Sequence, residues 1–192
     1  MGVGPDGRGV VLYDVTEELP VHAVKRYQER PLSEIRCQYV HHSGAMRKGD
    51  TFLHMRGSAR YVVESRGWPG FAYHFWHPYH DELDEEGNRV VYRGNLDSVC
   101  TYHAGSGPNR KGLAHVLQGN LTKEDMSEAQ RCTLPTALKW LANLYGITPR
   151  PVGHFQVEDG HAKASCPGRA GKAWVMGYQA GRESRRHDAR FS

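Results

Sequence analysis

The chain has 192 residues, 39% hydrophobic and 24% charged, with a formal net charge of +4. That composition describes a soluble globular chain of one domain and excludes a disordered one, and no apolar run approaches the ~18–20 residues that a membrane-crossing helix needs. Four dispersed cysteines, Cys37, Cys100, Cys132 and Cys166, exclude a disulfide framework, and no nucleic-acid-binding motif accompanies the mild basicity.

The opening MGVGPDGRGVVLYDV lacks the basic start and long apolar block of a secretory signal, which predicts synthesis in the cytoplasm without one. Within it, Val10-Val11-Leu12-Tyr13 is the first β-like run. Alternation predicts a strand over 35–42. TFLHMRGSARYVVES carries Phe52, Met55, Ala59, Val62 and Val63 at helical spacing and ends at Gly67. FAYHFW predicts another strand, DELDEEGN a turn, and RVVYRG the returning strand of a hairpin. HAGSGPNRKG is read as turn, leading into LAHVLQGN, an apolar strand expected at the centre of a sheet.

Ser127-Glu128-Ala129-Gln130 has the form of a capping box, so a helix should begin there and end at Gly146. Pro135, inside it, is expected to kink it or split it near Thr133. A last helix is expected from about Arg169, followed by an exposed basic tail, GRESRRHDARFS. Interleaved helices and strands predict a single α/β domain with a mixed sheet. The expected organisation is an N-terminal extension over 1–34 packed on the domain, the domain itself over 35–180, and the tail over 181–192.

Twelve histidines are an excess, and imidazole is the commonest metal ligand. Two of them, His41 and His42, are adjacent at the end of CQYVHHSG. Successive strand side chains point to opposite faces, so only one of the pair can enter a given pocket. Further on, His154 in GHF precedes Cys166 in CPG by twelve residues. One histidine of the pair, His154 and Cys166 would supply the three protein ligands that a catalytic zinc takes, leaving one position open. His74, His77 and His80 with Asp81 and Glu82 are a weaker rival cluster, interrupted by Pro78.

VHHSG, GWPGFAYHF, the stretch from HAG through Asn109 to GNL, and GHF…KASCPG follow one another in this order. In these motifs, over residues 35–170, the chain resembles the zinc amidases of the amidase-2 type. That family includes small phage lysins, bacterial muramoyl-alanine amidases and peptidoglycan recognition proteins. The resemblance implies a mixed β-sheet flanked by helices, with one Zn2+ in a surface groove that holds peptidoglycan by its glycan-linked stem peptide.

It implies His41, His154 and Cys166 as the ligands, and Tyr73 and Lys163 as catalytic residues. The spacing KASC is one residue longer than the K-x-C of the phage lysins, and His161 is an alternative to the lysine. His42, Trp68, His103 and Asn109 are implied at the substrate groove. The activity implied is zinc-dependent hydrolysis of the bond between N-acetylmuramic acid and L-alanine, in a compact phage or prophage lysin released onto the host wall. The alternative is a recognition module that holds peptidoglycan without cutting it. Oligomeric state has no signature in the sequence.

Overall fold

Among the described residues seven strands form one sheet: β1 (Gly2–Val3), β2 (Gly9–Asp14), β3 (Cys37–His42), β4 (Phe75–His77), β5 (Arg89–Arg93), β6 (Gly112–Leu117) and β7 (Val152–Gly153). The computed structural model describes residues 1–45, 49–158 and 161–181, so the expected basic tail lies, beyond Gly181, outside the described residues. The strand order is β1-β2-β5-β4-β6-β3-β7. The pairs β1–β2 and β4–β5 are antiparallel and the others parallel, so the sheet is mixed. The apolar run ahead of GNL becomes β6, buried along its whole length between two parallel neighbours, β4 and β3.

Among the described residues four α-helices flank the sheet: α1 (Thr51–Arg66), α2 (Ser106–Lys111), α3 (Glu128–Tyr145) and α4 (Gly168–Gln179). Local signals set the ends of α1 and α3. The Asp50 carboxylate accepts the Leu53 N–H at 2.8 Å, and Gly67 closes α1 in the left-handed region at φ 60°. Ser127 and Gln130 form the expected capping box, and Gly146 ends α3 at φ 62°.

Two sequence expectations give way to tertiary structure. Pro135 does not split α3, which runs unbroken from Glu128 to Tyr145. Residues on both sides of the proline are clamped: Gln130 Nε2 donates to the carbonyls of His77 and Gln118, while Leu134, Leu138 and Leu141 are fully buried. That packing outweighs the missing hydrogen bond. In the turn-rich stretch HAGSGPNRKG, six residues coil into α2, with Asn109 N–H donating to the Gly105 carbonyl.

The two faces of the sheet bury different partners. Val40, Leu113, Leu117 and Phe75 pack against Leu134, Leu138 and Leu141 of α3 and Trp174 and Val175 of α4. Trp76 and Val116 pack against Met55 and Ala59 of α1. Val40 thus faces α3 and α4, and its strand neighbours Tyr39 and His41 turn to the α1 side.

One long-range clamp has no local signal. Arg30, 3% exposed, donates to the backbone carbonyls of Asp97, Asn109, Arg110 and Gly112 at 2.8–3.1 Å. It ties both ends of the loop between β5 and β6 to the N-terminal segment.

Candidate metal centre

His41 is the penultimate residue of β3. On its other side from β6, β3 pairs with β7 in parallel, with Val40 opposite Gly153. One further step in that register sets His154, the next residue, beside His41, and their rings lie 4.7 Å apart between centroids. After a single 3-10 turn over His154–Gln156 the chain folds back on itself. Lys163 N–H donates to the His154 carbonyl at 3.2 Å and Phe155 N–H to the Cys166 carbonyl at 3.1 Å. This closure brings Cys166 Sγ to 3.7 Å from His41 Nδ1.

The turn that carries Cys166 is seated on the loop after β6. Gly168 has φ +81°, and a Cβ there would lie 2.4 Å from the Leu121 carbonyl carbon, so only glycine fits. Ala170 N–H donates to the Leu121 carbonyl, and Leu121 N–H in turn donates to His42 Nδ1 at 3.1 Å. The adjacent histidines therefore divide their work across the strand. His41 faces the thiol, and His42 holds the loop beneath it.

The donor atoms of His41, His154 and Cys166 lie within 4.8 Å of one another. A tetrahedral site with Zn–S of about 2.3 Å and Zn–N of about 2.05 Å has an S···N edge of about 3.6 Å, close to the spacing of Sγ and Nδ1. The tautomers also suit a cation. His154 Nε2 lies 3.1 Å from the His161 carbonyl, which only accepts, so the ring proton sits on Nε2 and the lone pair on Nδ1. Imidazole and thiolate are the donors a zinc ion takes, so the three residues fit one.

Electrostatics agree. Burial, with the charges of His154, His42 and Lys163, holds His41 well below the ordinary imidazole range, so it stays neutral. Burial pushes the Cys166 thiol up to about 11, opposed by the His42 backbone N–H and by Lys163 and Lys172. A dication bound there displaces that proton. All four cysteines are free thiols.

The other candidates occupy several settings. Tyr73 is half-buried with its ring 5.2 Å from that of His41, and burial followed by the Cys166 charge raises its phenol pKa. Lys163 is exposed, yet its charge reaches His41, His42 and Cys166. Trp68, half-buried just past the end of α1, meets Tyr102 edge-on at 5.7 Å. Asn109 uses its side-chain oxygen to accept the N–H groups of His103 and Ala104, both at 2.9 Å.

His103 is buried, with Nδ1 3.1 Å from His41 Nε2. His161 lays its ring against Gly105, where a Cβ would lie 2.4 Å from it. The rival cluster does not converge: His74 and His77 are fully buried among other partners, and no second group of metal-binding geometry occurs among the described residues. Sequence reasoning missed Arg30 and the backing of His41 by His103, because both depend on pairing between distant segments.

The profile of the N-acetylmuramoyl-L-alanine amidase family, Amidase_2, matches residues 31–169. No curated protein matches the sequence. Among solved structures, Drosophila peptidoglycan recognition protein SD superposes with a TM-score of 0.71 at 14% identity, over 87% of this chain and 94% of that one. Peptidoglycan recognition protein LE, in complex with tracheal cytotoxin (monomeric diaminopimelic acid-type peptidoglycan), gives 0.68 at 19% identity, over 86% and 92%. The N-acetylmuramoyl-L-alanine amidase LysC from Clostridium intestinale gives 0.59 at 19% identity, over 89% and 97%. At such identities these structures share the fold. The family profile covers most of the chain, which therefore belongs to the amidase-2 family.

Proposed function

We propose that the protein hydrolyses the amide bond between N-acetylmuramic acid and L-alanine in peptidoglycan, with one zinc ion held by His41, His154 and Cys166. The observation that carries this reading is the convergence of those three donors, from β3, the turn after β7 and the turn before α4. An ion held there supplies Lewis acidity toward a carbonyl and a lowered pKa for water. Water adds to the lactyl carbonyl carbon, the C–N bond breaks, and the alanine nitrogen leaves as the amine.

The chain's own residues bind and stabilise. Tyr73 stays protonated and donates to the oxygen that gains charge, and exposed Lys163 adds positive charge at the same edge. Trp68, His42 and Asn109 belong to the walls and supports of the groove. The setting we assign to this activity is a phage or prophage lysin acting on the host wall after release. Among the described residues no helix is long and apolar enough to cross a membrane.

Incubation with purified peptidoglycan should release stem peptides with new alanine amino groups and no new reducing sugar ends. A chelator should stop the release and zinc restore it. New reducing ends without amine release would mean a glycosidase, and zinc-loaded protein that binds the polymer without cutting it would establish the recognition module. Tyr73→Phe should keep its zinc and lower turnover ~10²–10³-fold. A parental rate would remove Tyr73 from the chemistry.

A further inference from the structure

We propose that His103 is a positioning residue of the metal centre, one that fixes the tautomer and ring plane of His41 by accepting its Nε2–H. The inference rests on the zinc reading above and adds a residue to it. The two ring nitrogens, His41 Nε2 and His103 Nδ1, lie 3.1 Å apart, so one bears the proton and the other the lone pair. On the opposite side of the His41 ring, Nδ1 lies 3.7 Å from Cys166 Sγ. A ligand nitrogen needs its lone pair, so the His41 proton belongs on Nε2 and His103 Nδ1 receives it. His103 must then carry its own proton on Nε2.

The rest of the loop holds that acceptor still. Asn109 takes the backbone N–H groups of His103 and Ala104, and Tyr39 packs its ring 5.2 Å from that of His103. Arg30 grips the carbonyls at both ends of the loop. Packing alone does not account for an imidazole here. His103 is 7% exposed, and its Nε2 has no hydrogen-bond partner among the described residues. A buried N–H left without an acceptor is destabilising, and an apolar side chain of similar size would fill the space with no polar atom of its own. What the imidazole adds is the acceptor at Nδ1.

The test compares His103→Leu, which removes the acceptor, with His103→Asn, whose side-chain oxygen falls near the place of Nδ1. Zinc affinity is measured by competition with a chelator, and unfolding of the zinc-free protein is followed by calorimetry. His103→Leu should bind zinc about 10–100-fold more weakly. Its zinc-free unfolding temperature should stay near that of the parent, because one orphaned N–H is exchanged for another. His103→Asn should recover most of the lost affinity. Parental affinity in His103→Leu, or an equal loss in both variants, overturns the proposal. So does failure of His103→Leu to fold, which would make the ring structural. A parent chain that binds no zinc defeats the amidase reading as well, whereas a zinc-binding, active parent with an unaffected leucine variant defeats this inference alone.

Discussion

On the α3 face of the sheet His77 and His115 lie in a closed chain of hydrogen bonds, whereas on the α1 face His41 and His154 bring ring nitrogens to a thiol. The closed chain can be followed atom by atom. Gln38 Nε2 donates to the Leu138 carbonyl, so its Oε1 accepts from His115 Nε2, each at 3.0 Å. His115 Nδ1 must then accept from His77 Nε2, and His77 Nδ1 from the Thr133 hydroxyl, again at 3.0 Å. Every ring nitrogen is used and every residue in the chain is 0–1% exposed. In the other cluster one nitrogen each of His41 and His154 lies with the Cys166 thiol, all within 4.8 Å of one another. The difference teaches where to look for a metal site among many histidines: at the set whose ring nitrogens converge with a thiol rather than on one another.

The sharpest way to break the contrast is Cys166→Ala. It should abolish amide hydrolysis and zinc retention together, while unfolding of the zinc-free protein changes little, since a small thiol becomes a methyl group. Zinc analysis of the purified variant and a peptide-release assay check it. A variant that keeps stoichiometric zinc would show that the thiol is not a ligand.

The parts of this arrangement that were legible in the sequence are those encoded locally. Asp50 and Gly67 bracket α1, and Ser127, Gln130 and Gly146 bracket α3, because a cap involves residues within one turn. Alternation in CQYVHH separated His41 from His42 for the same reason. The motifs then ordered His154 and Cys166 into one site. What stayed hidden depends on contacts between segments far apart in the chain. Arg30 reaches carbonyls some 80 residues on, His103 meets His41 across a gap of 62, and of FAYHFW only Phe75 and Trp76 are strand, in β4. There, Asn95 Nδ2 holds the carbonyls of Phe71 and Tyr73 in a non-strand path. No propensity or spacing announces such partners.

Acid should separate the buried histidines from the rest of the protein. Burial lowers His77 to about 3, and burial with the Arg30 charge lowers His74 to about 3. His74 is locked neutral in a further way, since Ala114 N–H donates to its Nδ1 and its Nε2 donates to the Val99 carbonyl. The folded state therefore stays unprotonated at these rings while the unfolded chain takes up protons below about 6.5. Stability falls as pH drops through that value and continues falling towards about 3. Between pH 6.5 and 5 the two rings together account for about 3 kcal/mol, a large part of ordinary domain stability. Urea unfolding of the zinc-free protein over that interval, above the range where most carboxylates titrate, measures it. A flat profile would mean that these imidazoles are accessible to protons in the fold.

His115→Leu is the counterpart to Cys166→Ala and has the smaller expected effect. Removing the middle of the closed chain leaves the His77 Nε2–H and the Gln38 Oε1 without partners in a dry core. Each orphan costs ~1–3 kcal/mol, and burial of the leucine offsets part of the sum, so a net loss of about 2 kcal/mol is expected. Zinc affinity should not change, because His115 shares its face of the sheet with Val40 and Gln38, opposite to His41. If zinc affinity fell along with stability, the two faces would be coupled through β3, and the division between a structural and a functional set of histidines would fail. Unchanged affinity with lowered stability would separate the two sets, because the wiring of each ring would then decide what its loss affects.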